Sequence, residues 1–164
     1  MGVRGKYASG GGVALIVLML MSLFLGGCNN VVHGAVYRVG FLSGSPVFDT
    51  TMEGLQSGLE ELGYQEGDLI YEFQAAQGDY ERMRAIAQDF ATGGMDVIFT
   101  TTNDGALAAK EAVAGSDVPV VFSFVIAPVE TGVVDSLRRP GGNLTGVRNP
   151  LDVFIGKRVE FAQW

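Results

Sequence analysis

The chain holds one cysteine, one histidine, one tryptophan and five prolines in 164 residues. A single cysteine excludes an intrachain disulfide framework and any zinc site built from several thiolates. A single histidine argues against a His-based metal centre or a Ser-His-Asp triad. Basic residues are scarce as well, with 11 Lys and Arg against 18 Asp and Glu, a net charge of -7 and a pI near 4.6. A surface of that sign repels phosphate backbones, so no nucleic-acid partner is expected. The longest apolar run, Val13 to Leu25, is interrupted only by Ser22 and ends after thirteen residues. At about 1.5 Å per residue it falls short of a hydrocarbon core about 30 Å thick. The 24 glycines follow no three-residue period, which excludes a collagen-like chain. What is plentiful is apolar residues, 48% against 18% charged, the balance of a chain that buries a core.

The first thirty residues read as an address before they read as a fold. Arg4 and Lys6 make a positive flank for the apolar run, and Leu25-Gly26-Gly27-Cys28 follows it directly. That tetrapeptide resembles a bacterial lipobox, in which small residues admit the peptidase and the thiol accepts a diacylglycerol. The resemblance implies a signal peptide over 1–27, lipidation with acyl chains such as palmitate at Cys28, and a tether over 28–36. Several acyl chains hold a membrane where one alone would not. The body left after residue 27 keeps 9 basic against 18 acidic residues, so the lipid and not charge supplies the anchor. His33 falls in the tether and reads as an exposed residue without a role.

From Tyr37 the pattern alternates strand and helix. Val36 to Leu42 and Leu69 to Phe73 are rich in β-formers, and Val97 to Thr100 and Val118 to Val125 read as buried strands. Phe48, Met52, Leu55, Leu59 and Leu62 recur at helical spacing, with Asp49 or Thr50 to cap the start. Asp79 caps a second helix whose core face is Met83, Ile86, Ala87 and Phe90. A third helix covers Ala106 to Val113, a short one Val133 to Leu137, a fifth strand Leu144 to Val147, and a last helix Leu151 to Trp164. The order predicts an α/β fold: a three-layer α/β/α lobe around a mostly parallel sheet.

Open sheets of this kind bind ligands outside the carboxyl ends of their strands, where the strand order reverses. That rule selects Ser43 and Ser45 after the first strand, Thr101, Thr102 and Asn103 after the third, and Phe124 at the end of the fourth. Hydroxyls, a carboxamide and one aromatic face suit a small polar solute better than bond-breaking chemistry. No G-x-G-x-x-G follows the first strand, and Gly141-Gly142 reads as a tight turn. No catalytic residue, metal site or cofactor is expected.

The runs Arg38-Val39-Gly40-Phe41-Leu42, Gly58-Leu59-Glu60-Glu61-Leu62-Gly63-Tyr64, Ala76-Gln77-Gly78-Asp79 and Arg139-Pro140-Gly141-Gly142-Asn143-Leu144-Thr145-Gly146 together resemble one family. It is the ABC-transporter substrate-binding lipoproteins that include aromatic-amino-acid binders. The resemblance implies a periplasmic-binding-protein type I fold, hinge closure of two lobes on a small solute, and docking on ABC permease subunits. Residues 37–150 would be the first lobe, and 151–164 the start of the crossover to a second. Such a chain would be extracytoplasmic and membrane-anchored. In the family an aspartate usually precedes the proline after the fourth strand, and here Ala127 stands there, which removes an acidic partner for a ligand ammonium. Two alternatives stay open: a ligand-sensing lobe of a signalling system, and a deliberately single-lobed protein in place of a fragment.

Overall fold

The computed structural model describes residues 35–151. The apolar run, Cys28, His33 and the predicted final helix after Leu151 lie outside the described residues. Five strands form the sheet: β1 (Tyr37–Ser43), β2 (Leu69–Ala75), β3 (Val97–Thr101), β4 (Val120–Val125) and β5 (Leu144–Arg148). Three helices connect them: α1 (Thr51–Glu61), α2 (Tyr80–Thr92) and α3 (Asn103–Ala112). All neighbouring strands pair in parallel, in the order β2-β1-β3-β4-β5. Parallel strands need crossovers long enough for a helix, which is why helical and strand patterns alternate along the sequence. The predicted α/β fold with a parallel sheet is therefore present.

Strand alternation sends Gly40 and Leu42 to one face of the sheet and Val39 and Phe41 to the other. On the first face α2 buries Met83, Ile86, Ala87 and Phe90, the four residues its sequence spacing selects. Phe90 lies so close over β1 that a Cβ on Gly40 would stand 2.8 Å from its ring. The carboxylate of Asp79 accepts from the Arg82 amide at 3.1 Å and caps α2 as expected. Small residues do the same work on α3, where Gly105, Ala106, Ala108 and Ala109 let the helix lie close to β3 and β4.

The second face is covered differently. Phe41 stacks on Phe99 at 5.0 Å between centroids and lies 5.4 Å from Phe73. Above this aromatic row α1 buries no residue completely. Leu55 and Leu59 of α1 face Val39, Val97 and Val121 across an apolar cavity of about 340 Å³. Leu62, part of the predicted stripe, ends the helix and is 65% exposed.

Three boundaries differ from the sequence reading. Phe48 does not start α1 but closes a 3-10 turn over Pro46–Phe48, because Pro46 fixes φ at the first helical position and the chain turns again at Asp49. α3 begins three residues earlier than expected, since Thr102 is its cap. The predicted short helix over Val133 to Leu137 is absent. Gly132 takes φ 77, Val133 and Val134 are both buried, and the Ser136 hydroxyl donates to the Arg139 carbonyl across a turn. Two adjacent buried residues and a left-handed glycine suit a compact loop, not one helical stripe.

The glycines give a paired test of this packing. Gly40→Ala drives a methyl into Phe90 and is expected to lower unfolding stability by about 1–3 kcal/mol. Gly54→Ala in α1 meets nothing within 4 Å and is expected to raise it by up to about 1 kcal/mol. Urea unfolding of both variants checks the two signs.

Candidate functional site

The chain runs from β1 to β2 on one side and then crosses to β3 on the other, so the strand order reverses between β1 and β3. In open sheets of this order the loops diverge at that point, and ligands bind beyond the carboxyl ends. The loop after β1 is tied down from three directions. Its Gly44 amide donates to Thr101 Oγ1 at 3.1 Å, the Gly78 amide donates to the Gly44 carbonyl at 2.9 Å, and the Ala76 amide donates to the Ser43 carbonyl at 2.9 Å. A side chain at Gly44 would strike Thr102 Oγ1 and come within 2.9 Å of the Thr101 carbonyl. Only glycine lets the ends of β1, β2 and β3 converge there.

The selected residues sit together at this rim, and most are engaged within the lobe. Ser43 is fully buried, and its one hydroxyl proton goes to Asp49 Oδ1 at 2.5 Å, with the Ser45 carbonyl also 3.1 Å from the Oγ. Thr101 is fully buried and accepts from Gly44. Thr102 Oγ1 accepts from the Gly105 amide at 3.1 Å and caps α3. Asn103 clamps the loop after β4 from both sides: its Nδ2 donates to the Ile126 carbonyl at 2.7 Å, and the Ile126 amide donates to its Oδ1 at 2.8 Å. These four side chains shape the rim. Ser45 is half-buried and Phe124 is 38% exposed at the same end of the sheet.

Two rim residues escaped the sequence reading. Helical spacing places Phe48 on the stripe of α1, yet its ring stacks on Phe124 at 4.6 Å between centroids and 29° between planes. The proline two residues before it was the available signal, since Pro46 marks a turn start. Gln77 sits exposed in the turn after β2. It belongs to a set: Gln77, Thr102, Phe124 and Ala127 take φ 60, 72, 56 and 49, and they are all the non-glycine left-handed residues among those described. Each lies at or just past the carboxyl end of β2, β3 or β4. Such conformations cost about 1–3 kcal/mol each and gather at functional sites.

The electrostatic perturbations lie elsewhere. Burial raises the Tyr80 hydroxyl above its ordinary range, helped by Glu111, whose carboxylate accepts from it. Burial and the nearby Glu60 raise Tyr71. Among the described residues no group of three or more His, Cys, Asp or Glu is placed to hold a metal.

A parallel sheet that reverses between β1 and β3, with a rim of hydroxyls, amide groups and stacked rings tied together at its carboxyl ends, has the architecture of open α/β folds that bind ligands at such a rim. Comparison with known proteins agrees. Residues 39–163 match the family described as ABC transporter substrate binding protein. The chain is 37% identical over 109 residues to a tyrosine-binding protein of Clostridioides difficile (strain R20291), covering 66% of this chain and 31% of that protein. An L-Trp-bound ABC domain from Streptococcus pneumonia superposes with a TM-score of 0.64 at 27% identity, over 70% of this chain and 39% of the other. An open, ligand-free substrate binding protein with adhesive properties from Clostridium difficile gives 0.62 at 33%, over 68% and 38%. The chain thus belongs to the ABC transporter substrate binding protein family, and it spans about a third of the length of the curated relative it matches.

The clamp can be tested by itself. Asn103→Ala removes both bonds to Ile126 and is expected to lower stability by about 1–2 kcal/mol while speeding amide exchange at Ile126. Ser45→Ala, which removes no bond made by that side chain, is expected to stay within about 0.5 kcal/mol of the parent.

Proposed function

We propose that this chain is the first ligand-binding lobe of an extracytoplasmic solute-binding lipoprotein serving an ABC importer. The observation that carries the reading is the crevice at the strand-order reversal, where the strained residues and the exposed aromatic ring converge. A binding protein needs rigid, preformed walls and groups aimed at a solute, and this rim is held by hydrogen bonds that leave little freedom. The reading assigns no chemistry to the chain. Its relatives are substrate-binding proteins, not enzymes.

Residues 1–27 act as the export signal, Cys28 as the lipid-bearing residue, and 28–36 as the tether, with residues 37–150 as the lobe. Support for the anchor comes from the sequence alone, in the apolar run and the Leu25-Gly26-Gly27-Cys28 junction. The solute is a small organic molecule. L-Tyr and L-Trp are the first candidates, since two relatives are described by those ligands. Ala127 supplies no carboxylate for an ammonium group, so the amine of such a ligand would need a partner elsewhere. Closure of a second lobe over the solute and docking on permease subunits complete the cycle.

One lobe provides only part of the contact a closed protein makes, so weak affinity is expected, with Kd in about the millimolar range. Saturation-transfer NMR of the full chain with a set of amino acids and small organic acids checks this. Signal transfer to at least one solute supports the lobe, and its absence for all of them contradicts it. For the anchor, labelling with a palmitate analogue in a bacterial host is expected to mark the chain and to vanish with Cys28→Ala. Labelling that persists in that variant contradicts the assignment.

A further inference from the structure

The two faces of the sheet are not packed alike. On one face α2 buries four side chains, and Phe90 lies so close to β1 that a Cβ on Gly40 would stand 2.8 Å from its ring. On the other face α1 buries no residue completely. Its apolar stripe stops short of the strands beneath it and bounds the cavity of about 340 Å³. Two further features hold α1 lightly. The Thr50 side chain at its start makes no capping hydrogen bond. Gly54 and Gly58, which weaken a helix, are exposed, with nothing within 4 Å of a Cβ placed on either.

The cavity has a floor, a roof and an end wall. Val39 pairs with Val97 and Phe99 pairs with Val121, so these four side chains share one face of the sheet and form the floor. Leu55 and Leu59 of α1 form the roof. Tyr37 and Leu69, the first residues of β1 and β2, line the amino end together with Tyr64, whose ring meets Tyr37 edge-on at 6.3 Å and 81°. The one charged side chain on this lining is Asp96, and its carboxylate already accepts from the Arg38 amide at 2.7 Å. A carboxylate brought here meets repulsion from Asp96, and a charge of either sign gives up water without a dedicated partner. An apolar body gains instead, because it removes apolar wall from water and restores dispersion contacts across the gap. A cavity of about 150 Å³ accepts benzene, so this one has room for about two rings.

We propose that the cavity beneath α1 is a second binding site of this lobe, one that takes an uncharged apolar molecule of one or two rings. The molecule lies between Leu55 and Leu59 above and the valines of β1, β3 and β4 below, and it supplies the packing that α1 does not find on the sheet. The site is separate from the rim. It sits toward the amino ends of the strands, and none of Ser45, Phe48 and Phe124 lines it.

The test uses the full chain with two probes, 2-naphthol and 2-naphthoate, the same pair of rings without and with a carboxylate. Affinities are read by NMR titration and unfolding temperatures by calorimetry. 2-Naphthol is expected to shift Val39, Leu55, Leu59, Val97 and Val121 saturably, with Kd below about 1 mM, and to raise the melting temperature. 2-Naphthoate is expected to bind there at least about tenfold more weakly. Val121→Phe fills the cavity from the floor and is expected to keep or raise the melting temperature of the free chain while weakening 2-naphthol at least about tenfold. Should that variant not fold, Leu59→Phe fills the cavity from the roof and carries the same expectation. No shift at the cavity residues overturns the proposal, as do unsaturable shifts spread over exposed apolar residues such as Ile70 and Val147. An affinity for 2-naphthol that is unchanged in the filled variant overturns it, and so does equal binding of 2-naphthoate at the cavity. The rim is read by its own residues in the same spectra, so the failure of either site leaves the other standing.

Discussion

Three strand ends meet at Gly44, and the rest of the lobe is arranged around what that residue lacks. Because no side chain projects there, the loop after β1 can lie against Thr101 and Thr102 while its carbonyl receives the Gly78 amide. The convergence fixes where β2 and β3 diverge on either side of β1, and so where the crevice opens. Anything larger at Gly44 would push the Thr102 side chain off Gly105 and uncap α3. One absent methyl thus couples the turn after β1, the end of β2, and the start of the helix on the opposite side of the reversal.

The rigidity that results is directed outward. The side chains of Ser43, Thr101, Thr102 and Asn103 bond to Asp49 and to backbone groups of the rim, which leaves the stacked rings of Phe48 and Phe124 as its aromatic pair. The two faces of the sheet contribute unequally. α2 and α3 press small and large residues tightly onto one face, and α1 rests on the other over an apolar cavity without burying a residue completely. The stable face supplies the frame, and the strained backbone at four rim positions is supported by it.

The sequence made the frame readable. Spacing alone picks out the buried face of α2, and Asp79 marks its start, because a helix packed on a sheet has one stripe to bury and four amides to satisfy. The alternation of patterns gives a parallel sheet, and the rule for such sheets selects six residues at one end of it: Ser43, Thr101 and Phe124 at the ends of their strands, Ser45 and Thr102 at helix starts, and Asn103 as the first residue of α3. What spacing could not supply was the direction of a side chain. Phe48 fits a helical stripe as well as it fits a rim stack, and only the turn at Pro46 separates the two. Nor does composition show that Asn103 spends both ends of its amide on Ile126. A short helix is expected over Val133 to Leu137, yet a left-handed glycine and two adjacent buried valines make the segment a loop.

The central claim is that a solute is held at the carboxyl ends of the strands. Its most direct test is an amide-resolved NMR titration of the full chain with L-Tyr. The account predicts shifts contiguous over Gly44 to Phe48, Gln77, Thr102 and Phe124 to Ala127, with the amino ends of the strands unmoved. Shifts confined instead to the apolar cavity beneath α1, at Leu55, Leu59 and Val121, would contradict it.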